Sequence, residues 1–169
     1  MPARLPVVLL SAGLIALAAG CGQGVDLARD LSVTDIETGY YNNGLKDGAH
    51  HLVPTVSFQL LNQSDHDISS VQLIVQFWKD GADDELDSRQ LTGISTEALE
   101  PAAKTERFLV RSQAGFTLED PDISTLFTHS LFTDVSVRVF ARRSGGLVKI
   151  AEQTIERRIL TQVRDPGHP

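Results

Sequence analysis

The chain has 169 residues, the length of one domain, with 41% hydrophobic and 22% charged residues, which excludes wholesale disorder and collagen-like or coiled-coil organisation. Fifteen Lys+Arg stand against 22 Asp+Glu, a formal charge of −7, and the pairs Arg142-Arg143 and Arg157-Arg158 are too short to form the basic stripe that a nucleic-acid partner requires. A single cysteine excludes an intramolecular disulfide framework, Cys-rich zinc sites and iron–sulfur clusters.

Arg4 is followed by an apolar stretch from Leu5 to Ala19, interrupted by Pro6, Ser11 and Gly13. The order of charge and apolar run is that of an export signal, and the run falls short of the ~20 residues of a spanning helix. It ends Leu17-Ala18-Ala19-Gly20-Cys21, small residues before the chain's one cysteine. This segment resembles the lipobox of bacterial lipoproteins, with Ala18 where that family usually carries Leu. The resemblance implies that residues 1–20 are a signal peptide and that the Cys21 sulfur is diacylated, so that Cys21 is a lipid attachment site and not a nucleophile. Acyl chains at ~0.8 kcal/mol per buried methylene would hold the protein on a membrane. Gly22 stands where an aspartate retains many lipoproteins on inner membranes, so the resemblance favours the periplasmic side of the outer membrane. Removal of residues 1–20 takes away Arg4 and no acid, leaving 14 Lys+Arg against 22 Asp+Glu, a formal charge of −8.

Residues 21–29, opening Gly22-Gln23-Gly24, are expected to form the lipidated N-terminus and a tether. A first strand begins with Leu31, Val33 and Ile36 and ends at Gly39, before a turn at Asn42-Asn43-Gly44. From Val53 a period of two is clear, with Val56, Phe58 and Leu60 on one face and Thr55, Ser57 and Gln59 on the other. Asn62-Gln63-Ser64-Asp65 turns the chain into a third strand, Val71, Leu73, Val75 and Phe77 against Gln72, Ile74, Gln76 and Trp78. Apolar residues on both faces mark it as central, and Lys79-Asp80-Gly81 closes it.

A fourth strand is expected over Leu86–Thr96, then a turn at Pro101 and a fifth over Thr105–Ser112 with Phe108 and Val110 inward. Asp120 and Pro121, followed by Ile123, Leu126, Phe127 and Leu131, predict a short crossover helix with Asp120 as N-cap, plugging one end of the core. Val135, Val137, Val139 and Ala141 alternate with Ser136, Arg138, Phe140 and Arg142, and Ser144-Gly145-Gly146 leads by a hairpin into Val148–Ile159. The fold class expected is an all-β, immunoglobulin/fibronectin-like antiparallel sandwich of about seven strands over residues 30–162, with residues 163–169 a flexible tail. Phe58, Leu60, Val75, Phe77, Val137 and Val139 are the expected core.

Val56-x-Phe58-x-Leu60-x-Asn62-x-Ser64, Val71-x-Leu73-x-Val75-x-Phe77-Trp78-x-Asp80-Gly81, and Leu99-Glu100-Pro101 before Phe108 resemble FxLYD-type domains and related small envelope lipoproteins, over about a third of the chain. Ala102 stands where a Gly often follows the proline, and Phe58 where a small residue is common. The resemblance implies an immunoglobulin-like sandwich without enzyme activity.

Chemistry-bearing patterns are few. His50 and His51 are adjacent and cannot both point to one side of a strand, and His66, His129 and His168 add no metal-ligand spacing. A surface Zn²⁺ or Cu²⁺ site at His50, His51 and His66 is the sharpest metal reading the sequence offers, set against solvated loop histidines. The acidic runs Asp80, Asp83, Asp84, Glu85, Asp87 and Glu119, Asp120, Asp122 lack the spacing of a calcium loop and read as solvated turns. Gly93-Ile94-Ser95-Thr96-Glu97 lacks the second glycine of a nucleophile elbow, and Gly145-Gly146 belongs to a hairpin instead of a phosphate cradle. Asn62-Gln63-Ser64 fits a glycosylation acceptor formally. No catalytic residue, cofactor or metal ligand is assigned. The expected function is a membrane-anchored, non-catalytic envelope lipoprotein serving as an interaction or assembly module, its partners the membrane and another envelope protein; a metal- or small-ligand-binding periplasmic lipoprotein is the alternative.

Overall fold

The structure, a computed structural model, describes residues 25–161. Asp26 opens it as the N-cap of α1 (Leu27–Asp30), its side chain accepting from the Ala28 N–H, and Leu27 packs into the core. Nine strands follow: β1 (Leu31–Lys46), β2 (Ala49–Asn62), β3 (Val71–Lys79), β4 (Glu85–Ile94), β5 (Phe108–Arg111), β6 (Phe116–Leu118), β7 (Val135–Arg142), β8 (Val148–Thr154) and β9 (Ile159–Leu160). They form two sheets, one ordered β5-β2-β1-β9 with β6 also on β2, the other β4-β3-β7-β8. All pairings are antiparallel except the two-residue β1–β9 contact. The result is an immunoglobulin/fibronectin-like β-sandwich, with inner faces packed on each other.

The strand count is nine instead of about seven, for two local reasons. The strand expected over Thr105–Ser112 is shortened to β5, which pairs with β2 at Thr55–Phe58, and an additional strand follows it: the chain loops out after Arg111 and β6 returns to β2 at His50–Leu52. Gly115 makes this return possible, because a Cβ there would lie 2.2 Å from the Leu52 carbonyl oxygen. The last strand, expected unbroken to Ile159, leaves its sheet at Ile155, whose side chain is buried, and Arg158 O then accepts from Tyr40 N in the other sheet.

The first turn also differs from expectation. Asn42-Asn43-Gly44 does not reverse the chain; it is a β-bulge inside β1, with Gly44 at φ +91° and the register jumping between Asn42 and Leu45. The reversal comes at Asp47-Gly48, both at positive φ between the paired Lys46 and Ala49, the geometry that matches strand twist in a two-residue hairpin. The crossover helix is a 3₁₀ helix, Ile123–Thr128, capped by Asp122 instead of Asp120; the Asp120 carboxylate accepts from the Asp122 N–H. Leu126 is buried and Phe127 packs over one end of the core, while Leu131, expected on the same face, is 79% exposed.

All six expected core residues are buried, and β3 is an interior strand between β4 and β7. Truncating Phe77 to Ala is therefore expected to cost ~3–5 kcal/mol in urea melts, whereas Gln76→Ala, on the outer face, should cost under ~0.5 kcal/mol. A second expectation comes from the turn Glu100-Pro101-Ala102-Ala103, closed by Ala103 N donating to Glu100 O at 3.1 Å, in which Ala102 holds φ +60°. Proline at the second and a positive φ at the third position define a turn that favours glycine there. Ala102→Gly should raise stability by up to ~1 kcal/mol in the same melts.

Candidate interaction face and the polar knot

The alternation of β3 and β7 leaves Gln72, Ile74, Gln76 and Trp78 on the outer side of their sheet beside Ser136, Arg138, Phe140 and Arg142. Ile74 lies directly opposite Phe140, and both are half-buried against their neighbours with no second layer over them. The Arg138 guanidinium sits 4.6 Å from the Trp78 ring centroid, an arrangement worth ~0.5–2 kcal/mol. Its Nε donates to Glu152 Oε1 at 2.8 Å, and Lys149 donates to the other oxygen of the same carboxylate. These two donors, Lys149 first, hold the Glu152 carboxyl below the usual carboxylate range. The face is thus an apolar centre framed by glutamines and a fixed charge network. Sequence alternation already placed Ile74, Trp78 and Phe140 on one side; it could not show that Arg138 covers the indole.

The candidate metal histidines are not brought together. His50 lies at the start of β2, where its Nδ1 accepts from Asn42 Nδ2 at 2.9 Å; His51 alternates to the other face; His66 follows the opposite end of β2. At ~3.3 Å per residue, the length of β2 from His50 to Asn62 is about 40 Å, which keeps His66 far from His50 and His51. Among the described residues no group of three His, Cys, Asp or Glu side chains could hold a metal ion. Of the acidic side chains in these runs, Asp87 accepts from Gln113 N at 2.7 Å, and Asp122 accepts from both the backbone and the hydroxyl of Ser124. Ser95 Oγ accepts from Glu97 N in a turn after β4. Cys21, the expected lipid attachment site, lies outside the described residues, as do the signal segment, Gly22 and the tail beyond residue 161.

Two features escaped the sequence reading. The first is Asn62, which is fully buried and uses its whole amide. Its Nδ2 donates to His66 O and Leu99 O, both at 2.8 Å, and its Oδ1 accepts from Ser64 N and Ser64 Oγ. An amide so engaged is not available as a glycosylation acceptor. The second is the far end of the core, where Tyr40 is fully buried among Phe116, Phe127 and Phe132, with ring centroids 5.4–6.0 Å away. Its hydroxyl has no hydrogen-bond partner among the described residues, and burial raises its pKa well above the ordinary phenol value. Beside it, Arg157 grips Asp134 through two hydrogen bonds and holds that carboxyl below its usual range. The aromatic residues come from four separate segments, so no local pattern announces them.

No family model matches the chain, and no curated protein matches it. Among solved structures, the chain is similar to structural-genomics target SoR45 at 10% identity, over 85% of this chain and 97% of that one, with a TM-score of 0.47. It is also similar to a protein from Arabidopsis thaliana at 12% identity, over 80% and 85% of the two chains, with a TM-score of 0.46. Identities and TM-scores this low assign neither a family nor an activity.

Asn62→Ala deprives two part-buried carbonyls of their donor and two donors of their acceptor. The expected loss is ~2–4 kcal/mol in a urea melt, well above the effect of an exposed control such as Asn43→Ala.

Proposed function

We propose that this chain is a membrane-anchored, non-catalytic envelope lipoprotein that acts as a protein-interaction or assembly module, on the periplasmic side of the outer membrane. The observation that carries this reading is the outer face of β4-β3-β7-β8. Ile74, Phe140 and the arginine-covered Trp78 form an apolar and aromatic centre inside a rim of Gln72, Gln76 and charged side chains. Interfaces concentrate aromatic residues and arginine at a centre from which a polar rim excludes water, and the rim here is already held in one geometry by Glu152. The anchor rests on the lipobox-like Leu17-Ala18-Ala19-Gly20-Cys21. The non-catalytic reading is supported by how the reactive side chains are spent: His50, Asp87, Ser95 and Asp122 each make a hydrogen bond within the fold.

One experiment in cells tests both halves. Metabolic labelling with a palmitate analogue is expected to mark the natural chain and spare Cys21→Ser; equal labelling of the two overturns the anchor. In the labelled protein, a photo-crosslinking residue at Gln76 is expected to trap a discrete membrane-fraction protein, and Phe140→Ala to abolish the adduct while the circular dichroism spectrum stays unchanged. Adducts indistinguishable from those at Lys46, on the β1–β2 hairpin, overturn the interaction face.

A further inference from the structure

The end of the sandwich where the described chain begins carries a second surface, which adjoins the face above at Arg142. Val25 and Leu27 line a shallow groove of about 280 Å³ whose other wall is the β7–β8 hairpin, with Arg143, Gly145 and Val148. Arg143 Nε donates to Ser69 O at 2.9 Å, which fixes the base of the hairpin, and the residue is exposed. Arg142 is exposed and makes no ion pair among the described residues. Leu147, completing the hairpin, is 45% exposed. Arg29 on the neighbouring α1 is exposed as well, its Nε spent on Asp30. Of the acids at this end, Asp26 caps α1, Asp30 accepts from Arg29 and from Asp26 N, Asp65 accepts from His66, and Asp67 is exposed; none of them belongs to the hairpin 142–147. In a chain whose formal charge after residue 20 is −8, counted as 14 Lys+Arg against 22 Asp+Glu, the hairpin 142–147 carries two exposed arginines, an exposed leucine and no acid, with the exposed Arg29 on the neighbouring α1.

Chain length says what meets that end. Val25 is four residues from Cys21, a reach of at most ~14 Å even when fully extended. A polar headgroup layer is itself ~5–7 Å deep on each side of a bilayer. With the Cys21 sulfur acylated, Val25 and the hairpin beside it cannot lie more than about that reach from the lipid surface.

We infer that the hairpin Arg142–Leu147, with Arg29 beside it, is a bilayer-contact surface: the arginines meet the phosphates of anionic headgroups, and Leu147 enters the interfacial region. This rests on the anchor reading proposed above. It also sets the orientation of the domain, because β7 runs eight residues, ~25 Å, from the Val135 end to the hairpin, so Leu131 lies at the end away from the membrane. The Ile74–Phe140 face is then presented sideways, above the headgroups.

The test uses the full acylated protein extracted from its membrane, its acylation established by intact mass. With Cys21 occupied by lipid, Leu147→Cys and, separately, Leu131→Cys each provide one free thiol for an environment-sensitive fluorophore. In vesicles of anionic phospholipid containing headgroup-level spin-labelled lipid, the label at 147 is expected to lose its fluorescence and the label at 131 to keep it. Adding Arg142→Gln and Arg143→Gln should move the 147 label outward and restore much of that loss, since each arginine near an anionic surface changes the local equilibrium by about fivefold. Equal quenching at 147 and 131, or stronger quenching at 131, overturns the contact surface while leaving the anchor intact. A mass showing an unmodified Cys21 overturns the anchor and the contact surface together.

Discussion

The architecture depends on one buried amide. The chain crosses from one sheet to the other twice at the same end, once from β2 to β3 and once from β4 back to β5, and two irregular crossings packed together would leave many backbone groups unpaired. Asn62 resolves this by donating to a carbonyl in each crossing, His66 O and Leu99 O. Its own backbone continues the join: Asn62 N donates to Ala103 O, Ala102 N donates to Asn62 O, and Ile68 and Leu99 exchange both hydrogen bonds nearby. α1 is drawn into the same knot because Gln63 N donates to Asp30 O. A buried polar group satisfied at every valence specifies one geometry, since any displacement strands several partners in a low-dielectric interior.

The opposite end is closed by different physics. There the 3₁₀ helix lays Phe127 against Tyr40, and Phe116 and Phe132 complete a cluster of tilted and edge-on rings. Lys79 and Arg157 lie over the outer rings, at 5.2 and 5.4 Å from the Phe116 and Phe132 centroids, so the apolar plug has a cationic rim. The domain therefore has a hydrogen-bonded end and an aromatic end, joined by a core of alternating valine, leucine and phenylalanine. The exposed edge at β4 is guarded: Asp87 and Arg89 sit opposite Phe77 and Val75 and point inward, a device that disfavours unwanted strand pairing.

This division of labour bears on function. The hydrogen-bonded end is also where the described chain begins, so an anchor attached there would pull on the most polar and most cross-linked part of the fold. The outer face of β4-β3-β7-β8 owes its geometry to the rigid strands beneath it, and a partner docking on Ile74 and Phe140 would meet a preordered surface, which keeps the entropic cost of association low.

Whatever depends on a period of two is legible in the sequence. Alternation in 53–60, 71–78 and 135–142 identified the strands, the buried set from Phe58 to Val139, the central place of β3, and the outer position of Ile74, Trp78 and Phe140. Each of these follows from side chains alternating across a pleat, which is local. Tertiary structure decided everything that depends on meeting a distant segment. Asn42-Asn43-Gly44 has the composition of a turn and became a bulge because pairing with β2 continues past it to Asp47-Gly48. β6 is three residues long, too short for any pattern, and exists because Gly115 lets the chain return to Leu52. The predicted final strand divides where Ile155 turns into the core and Arg158 reaches Tyr40, and the amide of Asn62 finds its acceptors 4 and 37 residues away. The physical reason is the same throughout: a single residue carries its hydrogen-bonding capacity and its φ preference in the sequence, but which group it pairs with is fixed only when the sheets close on each other.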